Sequence, residues 1–460
     1  MIVLPEVAQN LPFPHLLLAI LSVIVTATAA RIIYNLYFHP LHSYPGPLLG
    51  RATILYPILC ELRGSLHLKV KEWHDEYGEV VRVAPNQLLY NSGRAWEKIC
   101  GHRTSSNQSL FDKDQTFFFE SPQGKHTMIG ENGEKHRRLR RLLAHAFSDR
   151  ALRAQEDILQ SYVESLISQL RKRAATFDTN TVDMMRWFNY ITFDIIGDLS
   201  FGDSFGLLEK GIWQRYLSSI FGLLQFGVRY RAIKRTFPLS WRFFLARWIT
   251  PKDMREDRLY QHDLAQSKLT KRVSVDTGRQ DFVHYMLKGS KDAIGPDGLS
   301  MDEIVNLSEF LMLAGSETTA TVLSGMLYHL LQNPQCLSRL TSEIRSSFKS
   351  ENDINLNSAA QLRYLHAVLE ESMRIYPPVP NSLPRVTPEP GQIICDKFVP
   401  AGTSVGLHHY SSYHSSDNFF EPDAFHPERW LEGEDPRFRS DRKDAFHPFS
   451  HGPRNCLGKK

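Results

Sequence analysis

One long helix dictates much of the architecture that this chain can adopt. Ser300 and Glu303 form the Ser-x-x-Glu pattern of a capping box, and helical apolar periodicity then continues without a break to Asn333-Pro334. A helix of roughly 30 residues is unusually long for a globular protein. The pattern therefore predicts a helix that crosses an entire domain.

The middle of this helix carries the sequence AGSETT, residues 314–319. Ala314 and Gly315 are small enough to let a flat cofactor or a diatomic ligand approach the backbone. Glu317 and Thr318 offer an acid beside a hydroxyl, a pairing that can deliver protons into an apolar cavity. The alternative is structural: a close helix crossing in which a threonine hydroxyl bonds the carbonyl four residues earlier.

The rest of the chain predicts one large domain that is mainly α-helical with a minor β-sheet, an α+β fold. Short strand-like patterns occur, for example at residues 79–90 and 392–408, and a second helix is predicted from Ser358 to Pro377-Pro378. The 460 residues contain no internal repeat and no long Gly/Ser linker. The net charge of +4 does not indicate nucleic acid binding.

The cysteines argue against a disulfide framework and against a zinc site. There are five, an odd number, far apart and without a CxxC pair. We therefore expect a reducing compartment, and four buried structural thiols. The fifth, Cys456, differs from these because of its neighbours.

Cys456 lies in the sequence FSHGPRNCLG, which has the pattern FxxGxRxCxG. Gly452 and Gly458 permit a tight turn whose backbone N–H groups can donate to the sulfur, and Arg454 adds positive charge. A thiolate in such a loop can be a nucleophile, a redox centre or a metal ligand. No general base and no further thiols stand at a motif spacing, whereas a haem iron needs only one protein ligand on this side.

The N-terminal 38 residues predict a membrane anchor. An uncharged apolar run from Leu16 to Ala30 precedes Arg31 and Arg51, and no basic residue precedes the run, a bias that places the following residues in the cytosol. A cleaved signal peptide is the alternative. Residues 39–50 are rich in proline and predict a stiff hinge, and residues 51–460 form the predicted catalytic domain.

Two groups of charged residues complete the set of candidate site residues. Glu371 and Arg374 share a helix face, and Arg429 in FHPERW can join them in a bidentate, buried clamp. His136 and Arg140, in HRRLRRLLAHAFS, also share a face and could bind a carboxylated cofactor. A surface ion pair and a solvated basic helix are the alternatives.

Taken together and in this order, these motifs resemble the cytochrome P450 family of haem-thiolate monooxygenases, over the whole chain from the anchor to Lys460. The resemblance implies haem b as cofactor, with Cys456 as the axial ligand of its iron and Phe449, Gly452 and Gly458 shaping the loop around it. It implies that Thr318 and Glu317 relay protons beside bound dioxygen, with Ala314 and Gly315 next to the haem. The implied propionate contacts are Arg140, Arg454, His136 and Arg385, and the implied structural triad is Glu371, Arg374 and Arg429.

The implied reaction inserts one atom of O₂ into an organic substrate. Its electrons come from NADPH through another protein, since the chain has no GxGxxG after a strand. The expected partner is a membrane-bound flavoprotein reductase, which would dock on the basic residues that surround Cys456. Between Pro436 and Lys460 there are seven Lys/Arg and two Asp/Glu. We expect a monomer at the endoplasmic reticulum membrane.

The expected substrate is lipophilic and arrives by way of the membrane. Residues 221–248 interleave aromatic and basic side chains, and with an anchor upstream this pattern favours contact with lipid over contact with single-stranded nucleic acid. By family position these residues and residues 111–124 would line the entrance. The sequences AGSETT and TFDIIGDLSFGDSFG (residues 192–206) resemble those of fungal microsomal family members that act in secondary metabolism.

Two further hypotheses remain open. A peroxide-consuming isomerase or dehydratase of the same fold is disfavoured by the presence of both Glu317 and Thr318. The other hypothesis is an inactive chain, because in this family a helix and further strands follow the cysteine loop. Their expected absence after Lys460 predicts a C-terminally incomplete catalytic domain.

Overall fold

The computed structural model describes most of the chain. The described residues are 13–102, 110–118, 128–176, 181–213, 215–237, 240–242, 245, 248, 251–275, 278–292, 298–381 and 383–459. The parts of the expected substrate entrance at residues 119–124, 238, 239, 243, 244, 246 and 247 lie outside them.

Helices make up most of the described chain, as predicted. The first group comprises α1 (Phe13–Ile33), a π-helical turn (Tyr34–Phe38), α2 (Leu48–Ala52), α3 (Leu55–Leu62), α4 (Leu66–Tyr77), α5 (Gly93–Cys100), α6 (Gly133–Ala144), α7 (Asp149–Ala154), α8 (Glu156–Thr176), α9 (Met184–Phe201) and α10 (Leu207–Lys210). The second group comprises α11 (Arg215–Thr236), α12 (Lys252–Ser274), α13 (Phe282–Asp292), α14 (Met301–Gln332), α15 (Pro334–Ser347), α16 (Leu356–Ala359), α17 (Arg363–Ile375) and α18 (His409–Tyr413). Short 3₁₀ turns occupy Glu351–Asp353, Pro427–Trp430, Pro436–Phe438, Lys443–Ala445, Gly452–Arg454 and Leu457–Lys459.

The strands form two small sheets, which confirms the minor β component. Their bounds are β1 (Val80–Ala84), β2 (Gln87–Tyr90), β3 (Asp112–Lys113), β4 (Arg385–Val386), β5 (Gln392–Ile394), β6 (Lys397–Val399) and β7 (Ser404–Leu407). The larger sheet has the order β1-β2-β7-β4-β3, with β2 parallel to β7 and the other pairs antiparallel, and β5 pairs with β6. The larger sheet brings β3 and β4, which are far apart in sequence, side by side.

The long helix is confirmed as α14, with 32 residues. The Ser300 hydroxyl accepts from the N–H of Glu303 at 3.2 Å, and the Glu303 carboxylate accepts from the N–H of Ser300 at 2.9 Å, so the capping box is present. The second predicted helix is interrupted: α16 ends at Ala359 and α17 begins only at Arg363.

The main core lies where α14 packs along α9. Buried apolar side chains from both helices meet others from α6, α8, α11, α12 and α13 in one cluster. Separate clusters fill the space beside the larger sheet and between α14, α15 and α17. The cysteine loop and the ends of β3 and β4 lie at the border of this helical core. The candidate site is at this border.

The N-terminal helix is long and apolar enough to cross a membrane, over Pro14–Phe38, and none of its most apolar window is buried by protein. Beyond it the chain turns back onto the two sheets, where Leu41 and Tyr44 are buried, and the Tyr44 hydroxyl donates to the carbonyl of Phe398 on β6 of the smaller sheet at 2.9 Å. Gly46 and Gly50 lie against β1, since a Cβ on either would approach a β1 carbonyl oxygen to 2.3 or 2.6 Å. The division into anchor, hinge and catalytic domain stays a prediction, as does the absence of elements after the cysteine loop.

Candidate functional site

The loop before Cys456 is closed by its own backbone. The N–H of Cys456 donates to the carbonyl of Phe449 at 2.8 Å, and Gly452 adopts a φ of 73° between them. A Cβ on Gly452 would lie 1.9 Å from the carbonyl oxygen of Cys100, at the end of α5. Only glycine fits here, because any side chain would push the loop away from α5.

The Cys456 side chain lies at the edge of the loop, and the residue is exposed. Although the residue is exposed, neighbouring atoms partly desolvate the sulfur and raise the pKa of the thiol, while the backbone N–H of Gly458 and the charge of Arg140 oppose the rise without cancelling it. Arg454, which we expected to supply positive charge to the sulfur, binds Phe111 and Asp112 instead. A bound cation would be needed to hold this sulfur as a thiolate at neutral pH.

Two arginines fasten the loop to the rest of the site. Arg140 on α6 donates from Nη1 to the carbonyl of Asn455 at 2.6 Å and from Nη2 to the Asn455 side chain. Arg454 donates to the carbonyl of Phe111 at 2.6 Å and pairs with Asp112 at 3.0 Å. These contacts connect the cysteine loop to α6 and to β3.

Next to these arginines lie further cationic groups that are buried. Lys113 is directly opposite Arg385 in the antiparallel β3–β4 pair, and both residues are about 5–6% exposed. The Lys113 ammonium donates to the carbonyl of Met128 at 2.9 Å, and the Nη1 of Arg385 is buried without an acceptor. His136, on the same face of α6 as Arg140, is buried beside them.

The pKa values show how closely these groups act on one another. Burial, followed by the charges of Arg385 and Arg454, lowers the pKa of Lys113 to about 6. Burial lowers the pKa of His136 to about 3, with Lys113 the largest of four cationic contributions. We call His136, Arg140, Arg385, Arg454 and Lys113 the cationic cluster.

The cationic cluster lacks matching carboxylates among the described residues. Asp112 pairs with Arg454 but is largely exposed, and Glu131 acts on Lys113 only at a distance. The lowered pKa values leave His136 and Lys113 largely neutral at pH 7, whereas the three arginines stay charged, and burying several like charges is unfavourable unless an anion compensates them. The arrangement, with an orphaned buried donor on Arg385, fits a ligand that carries more than one carboxylate.

The middle of α14 supplies a separate acid and hydroxyl. The Oε2 atom of Glu317 is buried without a hydrogen-bond partner, and burial raises the pKa of this carboxyl. The Thr318 hydroxyl donates to the carbonyl of Ala314 at 2.8 Å. A Cβ on Gly315 would lie 2.8 Å from the side chain of Ile196, so the glycine permits the close crossing of α14 and α9. The roles of these four residues toward a cofactor stay predictions.

Glu371, Arg374 and Arg429 meet in the interior, and each is at most 1% exposed. Arg374 binds both carboxylate oxygens of Glu371 at 2.8 Å, and Arg429 Nε donates to the same carboxylate at 3.1 Å. Burial alone would raise the pKa of Glu371, but the two guanidiniums hold it below its usual range. This clamp joins α17 to the Pro427–Trp430 turn, away from the groups that could touch a substrate.

The structure thus gathers the cysteine loop with His136, Arg140, Arg385 and Arg454, as the sequence suggested. It adds two residues that sequence reasoning missed: Lys113, and Asp441, which pairs with Arg429 in the interior. It also brings the two expected entrance segments together, since Lys234 on α11 donates to the carbonyl of Phe118 at 3.0 Å and Arg231 lies over the ring of Phe117.

Comparison of the sequence with known proteins identifies the family. The sequence profile described as cytochrome P450 matches residues 44–460. The chain is 43% identical over 442 residues to the cytochrome P450 monooxygenase aclL of Aspergillus oryzae, covering 96% of this chain and 88% of that protein. It is 42% identical to astJ of the same species, covering 93% and 84%, and 38% identical to atr2 of Stereocaulon alpinum, covering 96% and 85%. Both of these relatives are likewise cytochrome P450 monooxygenases by name.

Proposed function

The chain belongs to the cytochrome P450 family of monooxygenases, and we propose that it inserts one oxygen atom of O₂ into a lipophilic small molecule of secondary metabolism while anchored to the endoplasmic reticulum membrane. The proposal concerns the substrate class, the pathway class and the location. The observation that carries the substrate class and the location is the exposed apolar N-terminal helix, and the cationic cluster beside the Cys456 loop bears on which cofactor the chain can hold.

The residues present fit haem b. Cys456 would bind the iron, and the cationic cluster would bind the two propionate carboxylates. Within the cluster, Nη1 of Arg385 has no acceptor, and Lys113 lies beside Arg385 and Arg454 without an ion-pair partner among the described residues. When bound, the haem supplies the activation of dioxygen and the transfer of one oxygen atom to the substrate.

The chain's own residues would position the loop and move protons. Arg140 and Gly452 fix the loop against α6 and α5, so that the sulfur has one location. Burial raises the pKa of the Glu317 carboxyl and so favours a proton at Oε2, and the Thr318 hydroxyl next to it can pass a proton onward.

The anchor and the aromatic side chains around the entrance support a lipophilic substrate. Phe237, Trp241 and Trp248 are exposed on the segment that follows α11, at 42%, 62% and 84%. Exposed aromatic side chains beside basic ones favour contact with the membrane interface. A substrate dissolved in the bilayer would then reach the site where α11 meets Phe117 and Phe118.

The electrons would come from NADPH through a flavoprotein reductase. The basic residues between Pro436 and Lys459 lie on the same stretch of chain as Cys456, and Arg437, Arg439 and Lys443 stand on its 3₁₀ turns or immediately after one. A positively charged face of this kind favours docking of an acidic flavin domain. A monomer in complex with its reductase is the expected working unit.

The test is reconstitution of the full haem-loaded chain with reductase, NADPH and isotopically labelled O₂. We expect one labelled oxygen atom in the product, and a fall of about a hundredfold in turnover for Glu317→Gln with an unchanged haem spectrum. Thr319→Ala, on the same helix turn but exposed, is the matched control and should retain turnover. Product formed from peroxide without O₂ or NADPH would instead identify an isomerase or dehydratase, and a haem-loaded chain without turnover would identify an inactive protein.

A further inference from the structure

Several hydrogen bonds fix the backbone that carries the Lys113 side chain. The N–H of Lys113 donates to the side-chain oxygen of Asn132 at 2.9 Å, and the side-chain amide of Asn132 donates to the carbonyl of Lys113 at 3.3 Å. The side-chain amide of Gln115 donates to the same carbonyl at 3.3 Å and to the carbonyl of Gly130 at 3.0 Å. These bonds join β3 to the residues that lead into α6, so the Lys113 side chain starts from a defined position.

Contacts with two other parts of the chain place Lys113 beside arginines. Arg385 is its direct partner in the antiparallel β3–β4 register, and both side chains are buried. Arg454 of the cysteine loop pairs with Asp112, the residue before Lys113, at 3.0 Å. Lys113 is therefore adjacent to a strand and to a loop that each supply a guanidinium.

Helix α6 supplies the remaining cationic groups. The N–H of His136 donates to the carbonyl of Asn132 at 3.3 Å, so the first turn of α6 begins at the residue that binds Lys113. Arg140 lies one turn further along the same helix and is bound to the cysteine loop through Asn455. Hydrogen bonds and strand pairing thus join Lys113 to the other members of the cationic cluster.

The acidic groups near Lys113 do not pair with it. Asp112 is mostly exposed and pairs with Arg454. Asp114 accepts from two side-chain hydroxyls, each at 2.7 Å. The attraction of Glu131 for Lys113 is smaller than the repulsion from either neighbouring arginine. The ammonium of Lys113 donates to a backbone carbonyl at 2.9 Å and, among the described residues, to no carboxylate.

A buried lysine in these surroundings is most stable without its proton. Arginine stays protonated in proteins, whereas lysine loses its proton when burial and like charges oppose it. Burial, followed by the charges of Arg385 and Arg454, lowers the pKa of Lys113 to about 6. In the haem-free chain at neutral pH, Lys113 is therefore mainly a neutral amine.

Two added carboxylates would reverse this balance. We propose that Lys113 takes up a proton when the chain binds haem b, and that its ammonium then contributes to holding the propionates. The inference deepens the proposed function and rests on it, because it takes haem b as the cofactor. The propionates would accept from the unused Nη1 of Arg385 and compensate Arg454, so Lys113 gains a proton from solvent even without touching them. The only bond formed in this step is the third N–H of the ammonium.

Proton uptake makes haem affinity depend on pH. The haem-loaded chain holds the Lys113 proton more tightly than the haem-free chain, so this group weakens haem binding as the pH rises above about 6. The loss is up to about tenfold per pH unit, because up to one proton is taken up per haem. Cys456 releases its thiol proton when it binds the iron. This release is the same in every variant that keeps Cys456, so it cancels when variants are compared.

The test measures how haem partitions at equilibrium between the full chain in detergent micelles and apomyoglobin, by absorbance from pH 7 to pH 9. The ratio of wild-type affinity to Lys113→Met affinity should fall by up to about tenfold per pH unit, since methionine cannot take up a proton. Lys113→Arg stays charged with and without haem, so its pH slope should match that of Lys113→Met. Lys135→Met removes an exposed lysine from α6 and should keep the wild-type slope.

Three outcomes would refute the role of Lys113. Equal slopes in haem-loaded wild type and Lys113→Met would show that Lys113 takes up no proton. A wild-type slope in Lys113→Arg would assign the proton to another group, and a change in Lys135→Met as large as in Lys113→Met would show a general effect of net charge. A wild-type chain that takes up no haem would refute the proposed function together with this inference, so the two failures differ in whether haem is bound.

Discussion

Lys113 lies directly opposite Arg385 across the β3–β4 pair with both side chains buried, and neither forms an ion pair with a carboxylate in the described part of the chain. Like charges facing each other on neighbouring strands destabilise a sheet, and the lowered pKa of Lys113 lets this side chain lose its proton in the haem-free protein. An anion beside the pair would instead keep both groups charged. The propionates of haem b are the anion that we propose, and they would connect the sheet to cofactor binding.

Replacing Lys113 by methionine should flatten the pH dependence of unfolding of the haem-free protein. Burial beside Arg385 lowers the pKa of Lys113 from 10.5 to about 6, so between these values the unfolded chain binds a proton that the folded chain does not. Wild-type stability should therefore rise with pH over this window, by up to about 1.4 kcal/mol per pH unit from this group. Urea titrations from pH 7 to 9 measure the slope, and an equal slope in Lys113→Met would contradict the assignment.

Replacing Arg140 by glutamine should speed haem loss. Arg140 fixes the carbonyl of Asn455, next to Cys456, and belongs to the cationic cluster, so its removal costs about 1.5–3 kcal/mol, or roughly tenfold or more in haem retention. Transfer of haem to an excess of apomyoglobin measures the rate. Arg141→Gln, an exposed neighbour on the same helix, should release haem at the wild-type rate.

Replacing Glu371 by glutamine should destabilise the protein by about 3–5 kcal/mol, because it leaves two fully buried guanidiniums without their shared carboxylate. Glu370→Gln is the control. Glu370 is only partly buried, and its pKa is already raised by burial, so a neutral amide should be tolerated there. Chemical denaturation of both variants distinguishes them, and a loss below about 1 kcal/mol in Glu371→Gln would refute the clamp.

Acid should weaken the packing of α4 against α18. Burial lowers the pKa of His74 and of His409 to about 4. A histidine with a lowered folded pKa is protonated more readily in the unfolded chain, so its contribution is complete above pH 6.5 and is lost as the pH falls toward 4. Thermal unfolding at pH 7 and pH 5 should show a smaller difference for His74→Gln than for wild type. The exposed His42→Gln should behave as wild type.

Local patterns were sufficient to predict α14, an apolar N-terminal helix, the cysteine loop and the placing of His136 and Arg140 on one helix, since each depends on spacing within one segment. Lys113 was not predictable in this way. It becomes part of the site only because β3 pairs with β4, which follows it by most of the length of the domain. Asp441 was missed for the same reason, because its contact with Arg429 depends on how the loop after Trp430 folds back.

The interruption between α16 and α17 shows a further limit. The apolar periodicity from Ser358 onward suits one helix, but Asn355 caps the short α16 through its side chain, and Glu343 of α15 accepts from the N–H groups of Tyr364 and Leu365 at 2.8 and 2.9 Å. The second contact caps α17 from another helix. Such a tertiary cap leaves no signal within the segment itself.

The central claim is that Cys456 binds a haem iron as a thiolate, and the difference spectrum of the reduced protein with carbon monoxide tests it most directly. We predict the thiolate-type Soret band that gives the family its name, and its loss in Cys456→Ser. A histidine-type band in the wild-type protein, or a thiolate-type band that persists in Cys456→Ser, would contradict the claim.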